Sequence, residues 1–298
     1  MTETVTEATE DPTSPTFRLL ALLEGECLPM VRGRKAYKRP PQPPEHTLRQ
    51  VQTPAWNWEY HGPGRAEFFQ QQLVHLDANA AYLTAASSVR VARDALHHSG
   101  PWLRYDRHPG FYQLMIDQDA WQDTRWLSPL GQAVHRDVVW LAEPTVTLLQ
   151  ELVRADLWPP LTIIDSYTSN EKVALTTWTN RLKGMRNELL RTEDEQGYES
   201  FKLAYSKAIQ MLRGCEHCQI RRADWFHAIR AQHAANTWRK VWKTVDAGCG
   251  PIAAGSVDAL TFTHGAYMAT QAVQPPLLRL DQTGEQFGTF KVVKDPDA

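Results

Sequence analysis

The chain has 298 residues, enough for one large domain or two small ones, and 42% of them are hydrophobic, which excludes a disordered polypeptide. Lys and Arg number 32 against 34 Asp and Glu; a net charge of -2 excludes a uniformly basic nucleic-acid coat, so any polyanion site must be local. No apolar stretch approaches the roughly 18 residues that cross a bilayer. The acidic start MTETVTEATEDPTSP has neither the basic n-region nor the apolar h-region of a signal peptide. The expectation is a cytoplasmic protein with no membrane contact, whose four cysteines stay reduced.

Residues 1 to about 16 have almost nothing apolar to bury and predict a disordered tail. Phe17 to Leu23 is a short apolar docking segment. Val31 to Arg49 (VRGRKAYKRPPQPP and onward) is basic and proline-rich, either a solvated linker or an arm that touches nucleic acid or a replication protein. Folding is expected from Val51. Leu73–Asp77 (LVHLD) predicts a strand leading straight into an Ala-rich helix that extends to His98. Gly110–Asp117, Val138–Ala142 and Leu161–Asp165 predict further strands, with a helix over Pro144–Ala155.

Between 171 and 245 the composition changes to 14 basic and 8 acidic residues, on helices predicted over Asn170–Arg191 and Tyr198–Leu212 with a polar break at TEDEQG. This pair reads as a helical hairpin. A Trp-rich basic segment follows, carrying Arg222, Arg230, Arg239, Lys240 and Lys243 among Trp225, Trp238 and Trp242. It offers a phosphate-contacting face backed by an aromatic core. IAAGSVDALTFT predicts a tight hairpin with Asp258 at its tip, and Gln286–Val293 a last strand.

Asp77 and Asp258 are the residues with most chemical content. Two acids at the ends of neighbouring strands suit two divalent ions for phosphoryl transfer, and a Lys on a facing helix suits a triphosphate. Each has a plainer alternative: Asp77 as a helix cap, Asp258 as an ordinary turn residue, Lys202 as a solvated charge. Asp165 reads as a strand-end cap. Cys215 and Cys218 have zinc-knuckle spacing, and Cys249 and His227 would complete four ligands, but a single CxxC reads more simply as reduced cysteines.

The order of these segments resembles the palm and fingers of family B DNA polymerases. Asp77-Ala78-Asn79-Ala80-Ala81-Tyr82-Leu83 keeps the acid and tyrosine of the family's Asp-x-x-Ser-Leu-Tyr-Pro and lacks its Ser and Pro. Lys202 matches the lysine of the helical motif, with Ser206 where the family has Asn. Ser256-Val257-Asp258-Ala259 keeps the second acid of Asp-Thr-Asp-Ser and replaces the first by Ser. Gly288-Thr289-Phe290-Lys291 is similar to the downstream Gly-x-x-Lys segment.

The resemblance covers roughly residues 70 to 293. It implies an α+β fold: a palm with an antiparallel sheet and packed helices, plus a helical fingers hairpin, with no room for the family's exonuclease domain. The expected organisation is tail and arm at 1–50, first palm part at 51–167, fingers and basic Trp-rich helix at 168–245, and second palm part with the catalytic hairpin at 246–298.

It further implies that Asp77 and Asp258 are catalytic and bind Mg2+ or Mn2+. Tyr82, which otherwise packs in the core, would stack under the sugar and exclude a ribose 2'-hydroxyl. Arg186 and Lys202 would meet deoxynucleoside triphosphates, while Arg239, Lys240 and Lys291 would meet DNA. The implied activity is DNA-directed nucleotidyl transfer to a DNA or protein-primed end in plasmid, phage or chromosome-end replication. The alternative is an inactive palm that binds DNA as a replication accessory or regulator; the sequence also resembles small actinobacterial proteins labelled transcriptional regulators.

Overall fold

The computed structural model describes residue 18 and residues 43–61, 64–102, 105–117, 119–121, 126–131, 137–213, 222–255 and 258–293. The tail, the arm up to residue 42, most of the Phe17–Leu23 segment, Cys215, Cys218, Ser256 and Val257 lie outside the described residues. In chain order the elements are α1 (Glu45–Gln50), β1 (Val51–Gln52), β2 (Trp58–Glu59), α2 (Arg65–Phe69), β3 (Leu73–Ala78) and α3 (Ala81–Ser88). Next come β4 (Arg90–Ala92), β5 (His97–His98), β6 (Gly110–Met115), β7 (Val138–Ala142), α4 (Glu143–Arg154), β8 (Thr162–Thr168) and β9 (Lys172–Ala174). The chain continues through α5 (Thr176–Arg191), α6 (Glu195–Met211), α7 (Ala223–Asp246), β10 (Ala253–Gly255), β11 (Ala259–Thr263), α8 (His264–Ala272) and β12 (Phe290–Val293).

Two five-stranded sheets organise this mixed α+β fold. One has the order β1-β7-β6-β8-β5, antiparallel except for β1 beside β7; the other has the order β12-β3-β11-β10-β2 and is antiparallel throughout. Their apolar faces meet in one core that includes Leu76, Leu114, Leu141, Phe262 and Phe290, with Leu149 from α4 and Trp238 from α7. A second core joins α3, α5, α6 and the start of α7 through Leu83, Trp178, Leu182, Phe201 and Trp225. The 24-residue α7 enters both cores, which is why it is apolar or buried around most of its circumference. Trp238 and Trp242 stack at 5.3 Å and 10°, and Trp121 meets both edge-on.

The helix expected to reach His98 stops at Ser88. Ser87 and Ser88 hydroxyls donate to the Thr84 and Ala85 carbonyls in the last turn, and Arg90–Ala92 then pairs with Lys172–Ala174. β-Branched Val89 and Val91 favour that extended course, but the partner strand is some eighty residues away in sequence. The same pairing takes the start of the helix expected from Asn170, so α5 begins at Thr176. Asp165 is not a strand-end cap: β8 runs on to Thr168, and Asp165 accepts from His98 Nε2 at 2.6 Å and from the Ser166 N–H at 2.8 Å. Among the described residues no helix is long and apolar enough to cross a membrane.

Candidate active site

The central strand β3 carries Asp77 next to its C-terminal end, between β11 and β12. Asp77 lies opposite Ala259 on one side and Lys291 on the other, and the Ala78 N–H donates to the Asp258 carbonyl at 3.1 Å. Register therefore brings Asp77, Asp258 and Lys291 to one end of three adjacent strands. Lys291 Nζ is 3.6 Å from Asp77 Oδ2, with the two side chains 38% and 39% exposed.

Asp77 is not the cap of the following helix. The strand turns into α3 at Ala80, whose φ of 47° is left-handed, and that cap position makes no side-chain hydrogen bond. A left-handed alanine costs on the order of 1 kcal/mol or more. Asn79 holds the turn: its Nδ2 donates to the Asp281 carbonyl and to Thr289 Oγ1, each at 2.9 Å, and its own N–H donates to the Thr289 carbonyl. The half-buried Tyr82, in the first turn of α3, meets the His233 ring edge-on at 5.3 Å.

The α5–α6 pair supplies Arg186, Lys202 and two tyrosines. Asp194 caps α6 by accepting from the Gly197 N–H at 2.9 Å, which accounts for the polar break between the helices. Arg186 is 2% exposed; Nη1 donates to the Gly284 carbonyl, Nη2 donates to Tyr198 Oη at 3.2 Å, and the guanidinium lies over the Tyr198 ring. Tyr198, Lys202 and Tyr205 share one stripe of α6 by helical spacing. Burial raises Tyr205 to about 12, helped by the charge of Tyr198 and opposed by Arg186 and a hydrogen bond with Ser206. Lys202 is half exposed and lies 3.8 Å from Glu199 one turn earlier.

Two sequence-predicted DNA contacts are engaged inside the protein. Arg239 Nε donates to Glu151 Oε2 at 2.7 Å, joining α7 to α4. Lys240 Nζ donates to the Gly288 carbonyl at 2.7 Å and lies 5.0 Å from the Phe290 ring centroid; burial, then the charge of Arg279, lowers it to about 8. Arg222 of the same basic segment is buried on Asp224. Trp225 and Trp238 are core residues.

Sequence reasoning missed Asn79, Tyr205 and the 281–288 loop that Arg186 and Lys240 grip. Asn79 sits inside the first motif, two residues after the acid, and two glycines four apart at 284 and 288 signalled close backbone approaches.

Asp77 and Asp258 are carboxylates, the oxygen donors that Mg2+ and Mn2+ take. Among the described residues no group of three or more His, Cys, Asp or Glu could enclose a metal. Mg2+ commonly uses one or two carboxylates together with water and phosphates, which is what Asp77 and Asp258 offer.

This mixed α+β arrangement of antiparallel sheets and packed helices resembles a polymerase-like fold. Phi29 DNA polymerase in an orthorhombic crystal form superposes with a TM-score of 0.59 at 9% identity, over 93% of this chain and 52% of the polymerase. The same enzyme with primer-template DNA and incoming nucleotide gives 0.56 at 10% identity, and its post-translocation binary complex gives 0.58 at 11%, each over 94% of this chain and 52% of the polymerase. The chain thus spans about half the length of that polymerase, and identities this low establish the fold alone. No protein-family model and no curated protein sequence matches it.

Proposed function

We propose that the protein is a DNA-directed nucleotidyltransferase, with Asp77 and Asp258 holding the divalent ions of phosphoryl transfer. The observation that supports this reading is the register: Asp77 on β3 and Asp258 just before β11 lie at one end of neighbouring strands, and Asp77 does not cap the next helix. Mg2+ or Mn2+, when bound, supplies charge to the attacking and leaving oxygens. Asp77 and Asp258 fix its position, and the Asn79 bonds keep the Asp77 turn rigid. Tyr82, supported by His233, flanks the sugar of a deoxynucleotide. Lys202, half exposed on α6, meets its triphosphate. Arg239 and Lys291 meet the DNA backbone after exchanging their present carboxylate partners for phosphates.

A second reading has a specific observation in its favour. Lys291 Nζ lies 3.6 Å from Asp77 Oδ2 and offsets its charge, and Arg186, Arg239 and Lys240 each have protein partners. A palm that binds DNA without catalysis accommodates these contacts. Primer extension decides between the readings. Mg2+- or Mn2+-dependent incorporation on primed, hairpin or single-stranded DNA, lost in Asp77→Ala and Asp258→Ala proteins of unchanged melting temperature, supports the enzyme. No incorporation on any of these substrates supports the binding protein.

A further inference from the structure

Where β6 stops and β7 and β8 begin, the end of the first sheet holds a cleft of about 490 Å3 lined by Met115, Asp117, Asp137, Trp158, Pro159 and Leu161. Its wall is apolar. Met115 and Val138 pair across β6 and β7, so their side chains share one face of the sheet, and they stay 56% and 37% exposed. Pro159 and Pro160 are exposed beside them, while Trp158 is buried. The rim is acidic: Asp117 just after β6 and Asp137 just before β7 are both exposed, and the Ile116 N–H donates to the Asp137 carbonyl at 2.8 Å, which joins the two strand ends. Among the described residues that line the cleft none is basic. Apolar surface rimmed by charge of one sign marks an interaction site, and acids here favour a cationic partner and repel a polyanion such as DNA.

The chain carries a segment of matching chemistry. Residues 31–39 (VRGRKAYKR) have five cations and no acid, with Val31 and Tyr37 among them. They lead to Pro43, which is buried, and to α1, which packs on β7, the strand whose start borders the cleft. β1 then runs parallel to β7 with Val51 beside Trp140. That position lies about 10 Å along the strand from Asp137, and the single short helix α1 adds roughly 10 Å more, so the arm joins the folded part within about 25 Å of the cleft. Extended chain from Pro43 back to Tyr37 or Val31 spans roughly 20 to 40 Å, which covers the distance. Tethering gives the arm an effective concentration on the order of millimolar, so weak contacts suffice to seat it.

We propose that this cleft is the docking site of the chain's own basic arm, residues 31–39, with Tyr37 against the Met115–Val138 wall and the cations beside Asp117 and Asp137. The arm is then held by carboxylates and withheld from nucleic-acid phosphates, and added salt loosens it. Nothing in this depends on the nucleotidyltransferase reading, because the cleft lies on the other sheet and uses no residue assigned to catalysis or nucleotide binding.

The test is photo-crosslinking of the full chain with benzoylphenylalanine in place of Tyr37, mapped by mass spectrometry on an equal mixture of isotopically light and heavy protein. Crosslinks are expected within one chain, to peptides containing residues 115–117, 137–138 or 158–162, with a yield that falls several-fold from low to high salt. Asp117→Lys together with Asp137→Lys is expected to lower the yield roughly three- to tenfold, the effect of two exposed charge pairs. Adding Lys35→Glu and Lys38→Glu to that protein should restore it, which a misfolded cleft would not allow; the crosslink map of the otherwise unaltered chain stands without any of these variants. Crosslinks to another part of the chain, crosslinks between light and heavy copies, no protein crosslink, or a yield indifferent to salt and to both charge reversals would each overturn the proposal. An arm that crosslinks only to added DNA would overturn it too, and would make the arm a nucleic-acid contact. Incorporation of nucleotide, or its absence, changes none of these outcomes, so the two proposals fail separately.

Discussion

The two five-stranded sheets hold their acids differently. Beside the β1-β7-β6-β8-β5 sheet, Tyr105 Oη donates to Glu143 Oε1 at 2.7 Å with Thr147 beside it, and Asp165 takes His98 at 2.6 Å. Burial, with the Glu143 charge second, pushes Tyr105 far above the ordinary tyrosine range, so that hydroxyl stays protonated and donating. In the β12-β3-β11-β10-β2 sheet, Asp77 stands over a third exposed with a lysine 3.6 Å away, a weak pair that the fold does not need. Glu143 and Asp165 are tied to neighbours at 2.6–2.8 Å, while the second sheet keeps an exposed acid at its end.

The comparison breaks first, and by the largest amount, if removing a fully committed ion pair costs little. Arg222 and Asp224 bond bidentately at 2.9 and 2.7 Å with side chains 2% and 4% exposed, and Arg222 also donates to the Arg93 carbonyl at 3.1 Å. Arg222→Ala is expected to destabilise the protein by about 3 to 5 kcal/mol, because Asp224 is left buried and unpaired. Urea denaturation measures it; a loss below about 1 kcal/mol would contradict this account of the pair.

Acid comes next. Burial, then neighbouring Arg and Lys charges, lowers His227 and His233 to about 4, so both stay neutral in the folded protein while the unfolded chain protonates near 6.5. Between these values the unfolded state binds more protons, so stability is complete above about pH 6.5 and falls as pH drops toward 4. The loss is expected to approach roughly 3 kcal/mol per histidine. His227→Phe and His233→Phe should each flatten the acid limb of a plot of stability against pH; an unchanged limb would argue against burial of that ring in its neutral form.

The smallest effect sharpens the contrast most. Asp77→Asn removes the acid and its ion pair with Lys291 and is expected to change stability by less than about 1 kcal/mol, with either sign. A much larger loss in thermal denaturation would make Asp77 a structural residue like Asp165 and Glu143.

Much of the frame was legible because its signals are local. Val138–Ala142 is continuously apolar and buried from Val139 onward, and the Pro near the start of α4 marks the helix that follows. Asp77 and Asp258 stand out in the sequence because each ends or begins an apolar strand run, and strand pairing brings them to one end of the sheet. What escaped depends on distant partners. The early stop of α3 follows from pairing with β9, and the internal use of Arg186 and Lys240 follows from carbonyls 98 and 48 residues further along the chain. A basic residue on an amphipathic helix looks the same in sequence whether it faces phosphate, solvent or a glycine carbonyl, since the choice is made by tertiary packing.

The central claim is that Asp77 and Asp258 act together on a divalent ion shared with a nucleotide. Electron paramagnetic resonance of Mn2+, titrated with protein in the presence and absence of dATP, tests it most directly. The account predicts weak Mn2+ binding by the protein alone, a ternary signal with dATP, and loss of that signal in both Asp77→Asn and Asp258→Asn at unchanged thermal stability. A ternary signal that survives either substitution, or none in the wild-type protein, would contradict it.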